Sequence, residues 1–174
     1  MKSMRKIILG VAMSLDGFIE GPNGEYDWCF TDQDYGLSDF FKRIDAIFMG
    51  RKSYEVSQKH EGQNPWKGMK TYVFSNSIRH VTEKNAKLVS GNIKKEVELI
   101  RQEPGKDIWL FGGAQLTTFF INESLVDELW LAVHPILLGE GKALFQNIQG
   151  RKKMKLVRQK VYDTGLISLC YQPM

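Results

Sequence analysis

Apolar runs of strand length alternate with helical patterns along the first two thirds of the chain. The runs are residues 7–13, 46–49, 71–74 and 108–111, and the helical patterns begin near residues 37, 53, 93 and 114. Buried parallel strands are continuously apolar and are joined by crossover helices. The alternation therefore predicts an α/β sheet with parallel pairings.

The last third of the chain has a different pattern. Residues 129–133 form another apolar run, which stops before Pro135, and residues 153–162 and 166–172 flank Asp163-Thr164-Gly165. Two strands around such a turn predict a hairpin. We expect a mixed, mostly parallel sheet with flanking helices and a C-terminal antiparallel hairpin, formed by a single domain over residues 1–174.

Charge and cysteine content argue against several classes of protein. The net charge of +4 comes largely from a late cluster of cations, in which apolar residues partly alternate with the charges and aromatics are not interleaved. This predicts a strand with one solvated face and no nucleic-acid partner. Cys29 and Cys170 form no metal-binding or redox spacing. The N-terminal apolar run is too short for a signal peptide or a membrane span, so we expect a cytoplasmic protein.

Three junctions after the predicted strands have a character that suits phosphate groups. Gly50-Arg51-Lys52-Ser53 offers two cations and a hydroxyl, Ser75-Asn76-Ser77 offers short polar groups, and Gly112-Gly113 offers bare backbone at a helix start. Ligands on open α/β sheets bind beyond the carboxyl ends of the strands, where helix N-termini favour anions. Each junction taken singly favours an ordinary turn or helix cap. Together they predict a dinucleotide site.

Familiar catalytic and nucleotide-binding motifs are absent. The chain has no Gly-x-Gly-x-x-Gly after its first strand, no P-loop and no Gly-x-Ser-x-Gly elbow. Of the three histidines, His60, His80 and His134, none has a convincing triad partner. His134, which lies on an apolar strand, is more consistent with a packed or capping histidine than with a general base.

As a whole the chain resembles the dihydrofolate reductase-like superfamily. It is most similar to the branch related to the reductase domain of bacterial bifunctional riboflavin-biosynthesis proteins. The resemblance covers nearly the whole length and rests on residues 12–19, 45–53, 72–75, 108–114 and 135–141, in that order. It implies the three-layer fold of that superfamily and an NADPH-dependent oxidoreductase.

The resemblance also implies which residues hold NADPH. Ala12 and Ile19 would flank the nicotinamide carboxamide. Gly112 and Gly113, joined by a cis peptide in this family, would allow close approach of the pyrophosphate. The other implied cofactor residues are Gly50, Arg51, Lys52, Ser53, Ser75 and Asn76 around the adenosine phosphates, and Phe111, Ala114, Gln115 and Leu116 around the glycines. A preference for NADPH over NADH would depend on Arg51 and Lys52, as partners for the 2′-phosphate.

Departures from dihydrofolate reductases bear on the substrate. An equivalent of their pterin-facing carboxylate is not evident around residues 37–39, and Thr117 stands where they have a tyrosine. Their supporting threonine is replaced within Ala132-Val133-His134. Residues 14–17 and 138–141 instead match the riboflavin branch, without its deaminase domain or zinc motif. We expect reduction of a pyrimidine, pteridine-type or ribosylamino substrate. Dihydrofolate reduction and a non-catalytic nucleotide-binding module are the alternatives.

Asp16 and Trp28 are the candidate catalytic residues. Asp16 ends the first strand beside the expected cofactor and would donate a proton, although an aspartate before Gly17 is also typical of a turn. Trp28, in a long loop with Asp27, would cover the substrate or act as a core anchor. Members of the family often form homodimers, and the apolar C-terminal strands would supply the interface.

Overall fold

The computed structural model describes residues 4–59 and 66–174. Within these ranges the chain forms ten strands and four helices. The strands are β1 (Ile7–Ser14), β2 (Phe18–Glu20), β3 (Ile44–Gly50), β4 (Lys70–Phe74), β5 (Ala86–Val89), β6 (Asp107–Gly112), β7 (Glu128–His134), β8 (Lys142–Ala143), β9 (Met154–Val161) and β10 (Ile167–Pro173). The helices are α1 (Leu37–Arg43), α2 (Arg51–Lys59), α3 (Ile93–Gln102) and α4 (Ala114–Asn122).

Eight of the described strands form one sheet, in the order β5-β4-β3-β6-β1-β7-β10-β9, and β2 pairs with β8 beside it. The first six strands in this order, β5-β4-β3-β6-β1-β7, are all parallel to one another. The strand β10 is antiparallel to both β7 and β9. The predicted mixed, mostly parallel sheet with a C-terminal hairpin is confirmed.

Helices cover both faces of the sheet and produce three layers. Successive side chains of a strand point to opposite faces. In β1, Leu9 therefore packs in the core that contains Val97 of α3 and Phe120 of α4, whereas Ile8 packs in the second core with Phe40 of α1 and Tyr54 of α2. Because β1 carries apolar residues on both faces, it occupies the interior of the sheet.

Three details differ from the sequence-based expectations. Ile44 stands at helical spacing with Leu37 and Phe40, which predicts that it belongs to the helix. It is instead extended, with φ −110° and ψ 155°, because it pairs with Asp107 as the first residue of β3. The short strands β2, β5 and β8 were not predicted. The cationic strand β9 is exposed along nearly its whole length and not on one face only, because it is the outermost strand of the sheet.

A buried carboxylate at the amino end of β7 ties α1 to the sheet. Glu128 is 4% exposed and accepts hydrogen bonds from Arg43 Nη1 at 2.9 Å, Arg43 Nη2 at 3.2 Å and Cys170 Sγ at 3.0 Å. Burial alone would raise the pKa of Glu128, but the Arg43 and Cys170 hydrogen bonds outweigh it and hold that pKa below its usual value. Burial and the neighbouring Glu128 raise the pKa of Cys170 to about 11.

Candidate functional site

The three predicted junctions come together at one edge of the sheet. The strands β4, β3 and β6 are adjacent and parallel, so their carboxyl ends lie side by side. Gly50 is the register partner of Phe74, and Met49 is the partner of Gly112. This places the segments that follow Phe74, Gly50 and Gly112 next to one another, as the rule for open α/β sheets requires.

The junction between β6 and α4 exposes backbone to a ligand. Gly112 and Gly113 are joined by a cis peptide, and Gly112 has φ +104°, a conformation that favours glycine. Gly113 is the N-cap of α4 without a side-chain cap, and the first turn contains no acidic residue. The first N–H groups of a helix have no intrahelical acceptor and form its positive end. The start of α4 is therefore suited to an anion.

The junction between β3 and α2 presents a second helix start. Arg51 follows β3 directly as the first residue of α2, and this helix also lacks an acidic residue in its first turn. Arg51 Nη1 lies 2.9 Å from Glu55 Oε1, while Lys52 is exposed. A β-carbon built on Gly113 would lie 3.4 Å from Ser53 Oγ. The hydroxyl of Ser53 thus faces the Gly113 backbone across the two junctions.

The side chains of Ser75 and Asn76 already have hydrogen-bond partners, Ser75 within its own turn and Asn76 in the segment that follows β5. Ser75 Oγ accepts hydrogen bonds from the N–H of Ser77 at 3.1 Å and of Ile78 at 3.4 Å. Asn76 Oδ1 accepts one from the Gly91 N–H at 3.0 Å. These contacts favour the turn interpretation that the sequence left open, although the loop lies at the correct edge of the sheet.

The other implied cofactor residues occupy different positions around this edge. Ala12 is half-buried on β1 and pairs with Ala132, and Ile19 is half-buried on β2. In the first turn of α4, Ala114 and Leu116 are buried and Gln115 is exposed. The ring of Phe111 lies 5.3 Å from that of Trp66 and 5.1 Å from that of Trp109, so its side chain serves an aromatic cluster.

The contacts of Asp16 are those of a turn former. Its carboxylate accepts hydrogen bonds from Ser14 Oγ at 2.6 Å and from the N–H groups of Leu138 at 3.1 Å and Gly139 at 2.8 Å. The Ser14 hydrogen bond is the largest influence that holds the pKa of Asp16 below its usual value. A carboxylate that remains ionised is a poor proton donor, so the geometry favours a role in joining two loops.

Trp28 and His134 pack together above the ends of β1 and β7. Their ring centroids are 5.3 Å apart, and Trp28 Nε1 is buried with no hydrogen-bond partner among the described residues. His134 is 3% exposed; Nδ1 lies 3.1 Å from the Ala132 carbonyl oxygen, and Nε2 accepts from the Phe30 N–H at 3.1 Å. Burial lowers the pKa of His134.

These contacts describe a neutral imidazole with its proton on Nδ1, because Nε2 is the acceptor. The packed role predicted for His134 is confirmed. His80 is exposed, and His60 lies outside the described residues.

An ion pair that the sequence patterns did not predict lies at the same edge of the sheet. Lys142 Nζ lies 3.3 Å and 3.4 Å from the two carboxylate oxygens of Glu20, and 3.7 Å from a β-carbon built on Gly113. The sequence feature that could have indicated this pair is the position of Lys142 directly after Gly139-Glu140-Gly141, one residue beyond the last segment that carries the family resemblance.

The sheet order and the parallel strand ends define a dihydrofolate reductase-like fold. Residues 5–168 match the RibD C-terminal domain family, and the chain belongs to that family. It is 43% identical over 178 residues to the protein YyaP of Bacillus subtilis (strain 168), an alignment that covers 96% of this chain and 94% of YyaP.

Solved structures share the fold. A Shewanella sp. PV-4 protein named for riboflavin biosynthesis superposes with a TM-score of 0.87 at 24% identity, over 97% of this chain and 99% of that one. The Thermotoga maritima diaminohydroxyphosphoribosylaminopyrimidine deaminase/5-amino-6-(5-phosphoribosylamino)uracil reductase gives 0.75 at 15% identity, over 98% of this chain and 57% of that one. Dihydrofolate reductase from Enterococcus faecalis, complexed with NADP(H), gives 0.72 at 16% identity, over 97% and 96%. The predicted superfamily and branch are confirmed.

Two kinds of feature are absent from the described parts of the chain. Among residues 4–59 and 66–174, no helix combines the length and the apolar character needed to cross a membrane. In the same residues, no three His, Cys, Asp or Glu side chains are grouped as metal ligands.

Proposed function

We propose that this protein is an NADPH-dependent reductase of a pyrimidine, pteridine-type or ribosylamino substrate. Its activity would be most like that of 5-amino-6-(5-phosphoribosylamino)uracil reductase. The observation that carries the proposal is the pair of helix starts without acidic residues, α4 and α2, beside Gly112-Gly113 at one edge of the sheet. Membership of the RibD C-terminal domain family supports the class of substrate.

The residues at this edge fit a dinucleotide diphosphate. Gly113 has no side chain where Ser53 Oγ and Lys142 Nζ converge, so phosphate oxygens can approach the backbone. Arg51 and Lys52 add positive charge at the start of α2. Donors at a helix start together with cations are a common arrangement for phosphate binding.

The substrate would bind beside β1 and β7, under the loop of residues 21–36. When bound, the reduced nicotinamide would supply the hydride for a carbon–nitrogen double bond. The chain itself would orient the two reactants and exclude water. Trp28 contributes a buried indole N–H that could donate to an acceptor on the heterocycle. Because Asp16 is ionised and its oxygens accept from three groups, we propose water as the proton source.

Two assays test the proposal. Quenching of protein fluorescence by NADPH reports binding, and loss of NADPH absorbance reports turnover with the phosphoribosylaminopyrimidine or with dihydrofolate. We expect turnover of the phosphoribosylaminopyrimidine. Turnover of dihydrofolate alone would favour the folate alternative, binding without turnover would favour a non-catalytic module, and failure to bind NADPH would refute the proposal.

A Trp28→Phe variant should lower kcat/KM about tenfold and leave the NADPH affinity unchanged, since the hydrogen bond from the indole N–H to the substrate is lost while an aromatic side chain remains. Steady-state kinetics and NADPH titration measure the two quantities. Trp130→Phe is the matched control, because it removes an indole N–H that donates to Ser168 Oγ at 2.7 Å, within the sheet. Equal kcat/KM in wild type and Trp28→Phe would contradict the role.

The charge at the start of α2 should select NADPH over NADH. An Arg51→Ala/Lys52→Ala variant should lose about 10- to 100-fold in NADPH affinity and little in NADH affinity, because charge-assisted hydrogen bonds to the 2′-phosphate are removed. Titration with each cofactor gives the ratio. Lys59→Ala, at the opposite end of the same helix, controls for net charge. An equal loss of affinity for NADPH and NADH would show that Arg51 and Lys52 do not bind the 2′-phosphate.

The homodimer also remains a proposal. The outermost strand β9 exposes Leu156, Val157 and Val161, which supports an interface there. Light scattering of the purified protein would measure its mass in solution.

A further inference from the structure

We infer that Lys142 is a ligand of the cofactor diphosphate and that Glu20 holds its ammonium group beside the site until the cofactor binds. This inference rests on the proposed function. It assigns a residue to the diphosphate that the sequence motifs did not include, and it gives Glu20 an effect on affinity opposite to that of its ion-pair partner.

The location of Lys142 is the first support. A β-carbon on Gly113 would lie 3.7 Å from Lys142 Nζ and 3.4 Å from Ser53 Oγ. The two side chains reach the same point from different elements, β8 and α2, and the free end of α4 begins at that point. An ammonium, a hydroxyl and helix N–H groups thus surround the space above Gly113, and all three are donors that phosphate oxygens accept.

The backbone keeps Lys142 in this place. Glu20 and Lys142 are register partners in the β2–β8 pair, and the Leu144 N–H donates to the Gly17 carbonyl oxygen at 2.9 Å. Gly141, with φ +145°, lies so close to β2 that a β-carbon there would collide with the Glu20 carbonyl oxygen. The approach of the two strands therefore requires glycine, and it brings the next residue, Lys142, toward Gly113.

Glu20 is the partner that must be displaced. Its carboxylate lies 3.3–3.4 Å from Lys142 Nζ, and the two side chains are 36% and 37% exposed. A carboxylate so near a bound diphosphate repels it, and both compete for one ammonium group. Exposed ion pairs are weak, so Lys142 can exchange Glu20 for phosphate at small cost. The pair keeps the ammonium close by when the site holds no cofactor.

Lys142→Gln should weaken NADPH binding about tenfold, because a charge-assisted contact is lost. Adenosine 2′-monophosphate, which lacks the diphosphate, should bind this variant and the wild type equally. Lys142→Arg keeps the charge and should retain most of the affinity. Fluorescence titration gives the dissociation constants, and thermal unfolding shows that each variant is folded.

Glu20→Gln provides the sharper test, because it should tighten NADPH binding about threefold by removing a competitor for Lys142. If the pair had only a structural role, both substitutions would weaken binding. Lys94 and Glu123 form a matched control pair, 3.3 Å apart on a different surface. Lys94→Gln and Glu123→Gln should leave the NADPH affinity unchanged.

The outcomes separate this inference from the proposed function. If the wild-type protein does not bind NADPH, the proposed function fails. If the wild type binds NADPH and folded Lys142→Gln binds it equally well, only the role of Lys142 is refuted. Weaker NADPH binding by Glu20→Gln would likewise refute the proposed competition between the Glu20 carboxylate and the cofactor diphosphate for Lys142.

Discussion

A Gly113→Val variant should remain folded and bind NADPH about a hundredfold more weakly. A steric clash between a ligand and an added side chain costs a few kcal/mol, which corresponds to a loss of affinity of this size. The new β-carbon would lie 3.4 Å from Ser53 Oγ and 3.7 Å from Lys142 Nζ, and the valine methyl groups would fill the space between these donors. Gly113 has φ −78° and ψ −161°, extended backbone that any residue adopts. The substitution should therefore block the ligand and leave the fold intact.

Fluorescence titration with NADPH measures this loss, and circular dichroism with thermal unfolding verifies the fold. Gly113→Ala adds only the β-carbon and should give an intermediate affinity, so the loss should grow with side-chain size. A folded valine variant with wild-type affinity would show that the diphosphate does not approach Gly113.

Replacing Arg43 with methionine should lower the free energy of unfolding by about 3 kcal/mol at pH 7, the usual cost of leaving a buried charge unpaired. Arg43 donates two hydrogen bonds to Glu128, whose side chain is buried where β7 begins. Methionine fills much of the same volume, so the loss reports the missing charge and not a cavity.

The deficit should depend on pH. In the wild type the pKa of Glu128 is lowered, so its stabilising contribution is complete above the unfolded value of about 4.3 and is lost as the pH falls through the folded value. Without Arg43, burial is the largest remaining influence, and we expect the pKa of Glu128 to rise. The buried carboxylate then destabilises the variant at neutral pH, and protonation relieves the penalty on acidification.

Urea unfolding at pH 7 and pH 4.5 measures both free energies. The difference between wild type and Arg43→Met should shrink at the lower pH. Arg43→Met/Glu128→Gln should recover much of the loss at pH 7, and Arg151→Met, at an exposed arginine, is the control for net charge. A deficit of equal size at both pH values would show that lost packing is the cause.

The general location of the site could be predicted from the sequence because of a property of parallel sheets. Gly50, Ser75 and Gly112 each follow an apolar run, and parallel strands carry their carboxyl ends to one edge. Local patterns thus predicted that the three junctions share one edge of the sheet, without knowledge of the strand order. They did not show that the Ser75 hydroxyl is engaged in its own turn.

Features that depend on distant partners were not accessible in this way. Lys142 is a candidate ligand because it lies beside Glu20 and Gly113, which are far from it in sequence. The strand β5 is short and partly exposed, and it is defined by its pairing with β4. Ile44 follows helical spacing, but pairing with Asp107 overrides that local preference. In each case a tertiary contact determined the outcome.

The position of β1 also bears on how the chain folds during its synthesis. This strand lies between β6 and β7, with Ile7 opposite Ile108 and Ile8 opposite Glu128. At roughly 5–20 residues per second, a ribosome would need at least about 5 s after β1 to complete β6, the first of these two neighbours. Throughout that interval the most apolar strand of the nascent chain has no sheet to join, which makes it a natural binding segment for chaperones.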